Sequence, residues 1–278
     1  MPDDGAIRVH RHDSRPEGAD VNAYIVETEN ALVAVDSTLT VTDSRALREK
    51  AEGFGKPLQA VLITHAHPDH YGGLTELVAG LEVPIIATKA VNEIIRRDDA
   101  VKESILRPMF GDDWAKERTF PNQTVEDGEK VSFDGAEFTV VDLGPGESPA
   151  DSMWVLNGGS DVFPGDVVYN HKHCYLADGF WQEWLENIDR LERELGSDTT
   201  LNIGHGEPAK PALFAWQRGY IETFIAAVKS ANWSNPEQAK AEVEAKAKEY
   251  LPDDDLAFLM ELSVEPVAAA MGPAARAN

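Results

Sequence analysis

Cysteine is almost missing from this sequence: Cys174 is the only one among 278 residues. A single thiol excludes an internal disulfide and any structural zinc cage built on cysteines. Long apolar runs are missing too. No stretch approaches the roughly 20 residues that a membrane helix needs. The opening MPDDGAIRV has no basic end leading into an apolar core, so a secretory signal is not expected. Basic residues are scarce, 25 against 49 acidic ones, which leaves a formal net charge of −24. Such a surface repels phosphate backbones and anionic lipid heads, so neither nucleic acid nor membrane is expected as a partner. The acids are dispersed along the chain, a pattern that keeps proteins hydrated and apart, as at high internal salt, and says little about substrate. Also absent are a Walker loop, a dinucleotide glycine fingerprint and a nucleophile elbow around a serine. The expectation is a soluble, cytoplasmic protein, long enough for one large domain.

What is present alternates between strand and helix signals. Short strands are expected from Ile7, over Asn22 to Thr28 and over Ala31 to Asp36, with a turn at Glu29-Asn30. A helix follows over Ser44 to Gly53, then LQAVLIT (Leu58 to Thr64), apolar enough for a strand buried on both faces. The pattern continues with a helix over Asp69 to Gly80, a strand over Val83 to Ala87 and a helix over Lys89 to Arg97. Asp98 to Pro121 breaks the rhythm and reads as an insertion over one face. Strand signals return at Lys130 to Phe133, Glu137 to Asp142, Ser152 to Asn157 and Asp161 to Phe163, punctuated by Gly135, Gly158 and Gly159. After a helix over Phe180 to Leu195 and a strand over Thr200 to Ile203, helices are expected over Pro211 to Ala231, Pro236 to Tyr250 and Asp253 to Val264. The organisation expected is therefore a main domain over 1–210, carrying the insertion at 98–121, a helical extension over 211–264 packed on it, and a loose tail over 265–278. No Pro/Ser-rich linker divides the chain.

The chemistry is concentrated at Thr64-His65-Ala66-His67-Pro68-Asp69-His70, between a buried strand and a helix. An extended segment directs His65 and His67 to one side, while Asp69 and His70 come as the chain turns. Three imidazoles and a carboxylate form a ligand set suited to zinc, manganese or iron. Beyond them, His171 and His173 flank Lys172 in a loop. They either line a pocket or are simply solvated. Trp114, Tyr175 and Trp181 are candidates for an apolar pocket wall.

The His-x-His-x-Asp-His run after a buried strand resembles the signature of the metallo-β-lactamase superfamily, and the resemblance covers about Val9 to Gly206. It implies an α/β fold, a four-layer αβ/βα sandwich, with a metal centre at one edge of two facing sheets. Asp36, ending the strand ALVAVD, matches the family's acidic residue behind the site. The family's later ligands correspond to Asp166 in Gly-Asp-Val-Val, which would bridge two metals, and to His205 in Gly-His-Gly. Where the family usually has a third histidine after a glycine-rich loop, this chain has Glu147. The resemblance thus implies one site of His65, His67 and Glu147 and a second of Asp69, His70 and His205. Asp166 and a hydroxide would span both. Three carboxylates and a hydroxide would neutralise two divalent ions, so a buried centre tolerates Glu147 as ligand. Zinc is the first expectation for both ions, with manganese or iron favoured by the extra carboxylate.

That centre implies a hydrolase in which a metal-bridging hydroxide attacks an ester, lactone, thioester or related bond of a small molecule, with Asp69 and Asp166 as catalytic residues. A non-haem iron redox enzyme and a non-catalytic binding member are the alternatives. The C-terminal helices leave a homodimer open.

Overall fold

The computed structural model describes residues 7–272. Its first sheet has six strands in chain order: β1 (Arg8–Asp13), β2 (Asn22–Glu27), β3 (Leu32–Val35), β4 (Leu58–Leu62), β5 (Ile85–Thr88) and β6 (Gln123–Val125). The first three run antiparallel and the later neighbours parallel. The second sheet holds β7 (Lys130–Phe133), β8 (Ala136–Gly144), β9 (Asp151–Leu156), β10 (Asp161–Tyr169) and β11 (Thr200–His205), ordered β11-β10-β9-β8-β7.

Strand periodicity explains how the sheets stack. Successive side chains point to opposite faces, and β2 and β3 are buried along their whole length. Tyr24, Val26, Val33 and Val35 therefore meet Phe138, Val140, Trp154 and Phe163 of the second sheet in a core between the sheets. Ala23, Ile25, Leu32 and Ala34 face the other way, against helices α1 (Val41–Glu52), α3 (Leu74–Leu77) and α4 (Lys89–Phe110). The outer face of the second sheet is covered by α5 (Trp181–Glu194), α6 (Phe214–Ser230), α7 (Pro236–Tyr250) and α8 (Ala257–Ala270) through the largest apolar cluster. Four layers result, helices outside and two sheets inside, as the sequence implied.

Four local expectations are corrected. The helix expected to stop at Arg97 continues to Phe110. The acids at 98 and 99 do not end it, because Arg97 pairs with Asp98 and Arg118 holds the buried Asp99 at 2.9 Å. The segment 98–121 is thus mostly the second half of α4, followed by the three-residue edge strand β6. The helix expected over Asp69 to Gly80 is broken into α2 (Pro68–Tyr71) and α3 at Gly72-Gly73. A Cβ at Gly73 would lie 1.6 Å from Ser44 Oγ, so α1 leaves room for backbone alone. The strand expected to end at Phe163 runs to Tyr169 through a bulge at Gly165, whose φ is +56°. Finally, Glu265 to Ala270 is not loose: it completes α8, where Val264, Val267 and Ala268 are buried around Pro266. The remainder of the expected tail, 273–278, lies outside the described residues.

Among the described residues no helix is long and apolar enough to cross a membrane. The loop after β3, the loop after β4, the β8–β9 loop, the β10 bulge and the end of β11 meet at one edge of the two sheets, where the polar groups described below are buried.

Candidate metal centre

Asp36 stands in the left-handed region, φ +61°, just beyond β3. Its carboxylate accepts from the Thr64 backbone N–H at 2.8 Å, the Thr64 hydroxyl at 2.7 Å and His70 Nδ1 at 2.8 Å. A carboxylate only accepts, so the single Thr64 hydroxyl proton goes to Asp36. Thr64 Oγ1 is then the acceptor for His65 Nδ1, 3.0 Å away. Both His65 and His70 are thereby fixed as Nδ1–H tautomers with Nε2 bare, the arrangement in which histidines serve as metal ligands. His67 is turned the other way. Its Nε2 donates to Asp178 Oδ2 at 3.0 Å, and its Nδ1 faces Glu147 Oε2 at 2.9 Å.

The second sheet supplies the facing groups. Glu147, in the β8–β9 loop, is tied through its backbone N–H to Asp151 Oδ2 at 2.7 Å. Asp166 lies in the β10 bulge, with Oδ1 3.3 Å from His70 Nε2 and Oδ2 3.1 Å from His205 Nε2 and 3.9 Å from His65 Nε2. Asp69, the least buried of the set, places Oδ2 3.3 Å from His205 Nε2 and 3.7 Å from His70 Nε2. Glycine makes this convergence possible at two points. A Cβ at Gly204 would fall 1.8 Å from Asp166 Oδ1, and one at Gly165 2.7 Å from Thr64 Oγ1.

The seven residues singled out in the sequence form two adjoining groups. His65, His67 and Glu147 make one; Asp69, His70, Asp166 and His205 make the other, with one ligand atom from each member of a group within 4.8 Å of the rest. Buried polar atoms normally find hydrogen-bond partners. Among the described residues His65 Nε2, His70 Nε2, both ring nitrogens of His205, Glu147 Oε2 and Asp166 Oδ1 have none and lie in these two groups; His12 Nε2, on β1, is the one such atom elsewhere. Buried nitrogen and oxygen lone pairs left bare in such a cluster match the donors a pair of divalent cations requires.

The electrostatics of the cluster show the same tension. Burial pushes the Glu147 carboxyl up to about 8, and that of Asp151 up to about 7. Burial drives the His65 imidazole well below its ordinary value, and the neighbouring His70 adds to the fall. For His205 burial again opposes the charged form, but Asp166 outweighs it and lifts the imidazole to about 10. Burial would likewise raise Asp166, yet His205 and His70 hold it well below the usual carboxylate range. Protons here are shared among groups with opposing demands.

Of the expected pocket residues, Tyr175 is beside the centre, its ring edge-on to His67 with centroids 5.2 Å apart. Trp181 opens α5, packs against the outer core and approaches Gly179. His171 is exposed and lines an open cleft of 650 Å³ that includes Gly206, the neighbour of His205. Two expectations fail. His173 is wholly buried, with Nδ1 bonded to the Tyr220 hydroxyl at 2.7 Å and Nε2 to the Asp253 carbonyl at 2.8 Å, so it ties the β10–α5 loop to the C-terminal helices. Trp114 is also fully buried behind α2, donating to Glu103 with the Arg118 guanidinium 4.1 Å above its ring. Three residues at the centre carried no sequence signal used above: Asp151, Asp178, and Tyr169, whose hydroxyl lies 3.0 Å from Glu147 Oε1 and 3.1 Å from Asp166 Oδ2.

Comparisons with known proteins bear on the family and the fold. An uncharacterized protein of Bacillus subtilis, YobT, is 26% identical over 67% of this chain and 83% of its own. A hydroxyacylglutathione hydrolase of Bdellovibrio bacteriovorus is 27% identical over 49% of this chain, and the match spans only 45% of that protein. The crystal structure of a beta-lactamase domain protein from Burkholderia ambifaria superposes with a TM-score of 0.68 at 18% identity, covering 95% of this chain and 85% of that one. The family model for the metallo-beta-lactamase superfamily matches residues 17–202, more than half of the sequence, and so the chain belongs to that superfamily.

Proposed function

We propose that this chain is a metal-dependent hydrolase acting on an ester, lactone or thioester of a small molecule. The observation that carries the reading is the set of bare, buried donor atoms in two adjoining groups. His65, His67 and Glu147 would hold one divalent cation, and Asp69, His70 and His205 a second, with Asp166 between them. When bound, such ions lower the pKa of water toward neutrality and polarise a carbonyl oxygen. The protein's own groups do the positioning. Asp36 and Thr64 fix the tautomers of His65 and His70, and Asp178 fixes that of His67. Asp69, the least buried of the ligand residues, would take up the proton released by the attacking water on the oxygen other than Oδ2 and pass it to a departing alkoxide or thiolate. Tyr175 packs beside His67 and excludes water on that side.

A thioester is the first choice within this class, supported by the hydroxyacylglutathione hydrolases among the relatives, of which the chain matches about half the length. A second reading is favoured by one observation: His65, His67 and Glu147 are a two-histidine, one-carboxylate set of the kind used by non-haem iron oxygenases. Metal quantification after anaerobic purification, paired with a panel of thioester, lactone, aryl ester and β-lactam substrates, separates the two. Two equivalents of zinc or manganese with thioester or ester turnover support hydrolysis. One equivalent of iron with oxygen uptake overturns it in favour of redox chemistry.

A further inference from the structure

Glutamate and histidine are not equivalent ligands. An imidazole offers one nitrogen, whereas a carboxylate offers two oxygens and can chelate an ion through both. The centre contains a group that removes this ambiguity. The Tyr169 hydroxyl lies 3.0 Å from Glu147 Oε1 and 3.1 Å from Asp166 Oδ2. The bare atoms are the opposite oxygens of the same two carboxylates, Glu147 Oε2 and Asp166 Oδ1. For Glu147 the phenol therefore marks Oε1 and leaves Oε2 toward the imidazoles, whereas Asp166 Oδ2, which it also reaches, is itself 3.1 Å from His205 Nε2. Glu147 Oε2 is 2.9 Å from His67 Nδ1 and 3.6 Å from His65 Nε2. Tyr169 itself has little freedom to leave: it is buried, and its ring stacks on His205 with centroids 5.1 Å apart and planes 12° from parallel.

We infer that Tyr169 is a positioning residue that confines Glu147 to a single ligand oxygen, so that the glutamate presents the one-atom donor an imidazole would. The inference rests on the metal-centre reading above. Tyr169 also couples the two groups, because its one proton is within reach of a carboxylate from each.

The test is metal binding by Tyr169→Phe, which keeps the stacked ring and deletes the hydroxyl. Zn²⁺ titrated calorimetrically into the metal-stripped full chain is expected to bind the variant at two sites, one with native affinity and one weakened roughly 10- to 100-fold, the usual effect of losing a partner behind a ligand. With Co²⁺ as probe, the d–d absorption of the variant should lose intensity as Glu147 takes up a second contact and the coordination number rises. Glu147→His supplies the control: in that background the added Tyr169→Phe change keeps only its effect through Asp166, and the Zn²⁺ affinity loss should be markedly smaller than in the glutamate background, since an imidazole has no second oxygen to restrain. Native-like affinities together with an unchanged Co²⁺ spectrum in Tyr169→Phe would overturn the inference. So would an equal loss in the glutamate and histidine backgrounds, which would assign the effect of Tyr169 to Asp166 or to packing and not to Glu147. If Glu147→His does not fold, the Co²⁺ spectrum of Tyr169→Phe decides by itself. A native chain that binds two Zn²⁺ ions but turns over none of the panel substrates overturns the hydrolase and leaves this inference standing; one that binds no Zn²⁺ overturns both.

Discussion

At the scale of single residues, the sequence is most readable where the motif is contiguous. Six positions, His65 to His70, carry four of the seven candidate ligands on one strand-to-helix turn, and their spacing shows in the string itself. Tyr169 was not readable in that way. It stands three residues after Asp166, an odd offset that in a regular strand places two side chains on opposite faces, and the register irregularity between Gly165 and Tyr169 is what lets the Tyr169 hydroxyl reach the Asp166 carboxylate. Asp178 belongs to a loop, where periodicity carries no information. Glu147→Ala is expected to lose one of two bound metal equivalents, read by elemental analysis of the purified protein; retention of both would remove Glu147 from the ligand set. His173 yields a pH prediction. Burial lowers its pKa in the folded chain, so folding favours the neutral ring. Its contribution is complete above the ordinary histidine value of about 6.5 and is lost as pH falls below it, because only the unfolded chain then gains the proton. The melting midpoint of the native chain should decline between pH 7 and 5, and His173→Gln should start lower at pH 7 but decline less. Parallel declines would show that His173 is not a source of the slope.

At the scale of elements, strands buried on both faces and helices with clear starts were legible, and the failures have physical causes. The Asp98-Asp99 pair looks like a helix stop until Arg97 and Arg118 are seen to hold it. Pro266 looks like a terminus until the buried residues on either side are placed. Strand β6 has three residues, two of them exposed polar ones, too few for any alternation to register. The α2–α3 break was hidden because its cause lies on α1. Ser44 is held there by Thr38 Oγ1 at 2.8 Å, in the space a side chain at position 73 would need. Gly73→Ala is therefore expected to destabilise the fold by about 1–3 kcal/mol, the range for overpacked cores, measured by denaturant unfolding. Adding Ser44→Gly should recover part of that loss, and no recovery would mean that the Thr38 carbonyl, 2.8 Å from the same point, is the principal obstacle.

At the scale of the whole molecule, the charge of −24 sets a condition that no single contact reveals. Like charges spread over one surface repel, and salt shortens the reach of that repulsion to about 10 Å at 0.1 M and about 3 Å at 1 M. The melting midpoint should rise between 0.05 and 1 M KCl. A fall over that range would mean that the surface ion pairs, such as those of Arg218 with Asp189 and Glu192, outweigh the net repulsion. The layered architecture was legible at this scale through the resemblance carried by the His-x-His-x-Asp-His run, with which the succession of strand and helix blocks agreed. The depth at which each aromatic residue would lie was not, as Trp114 shows.

The division of the candidate ligands between the sheets has a mechanical consequence. His65, His67, Asp69 and His70 travel with the first sheet, whereas Glu147, Asp166 and His205 belong to the second. Ions gripped by both sets would act as rivets through the seam of the sandwich. Withdrawing them would slacken that seam from the ligand-bearing rim inward and leave the opposite rim fastened by its apolar filling and by the bonds of Thr28 and Asn30 to Asp134.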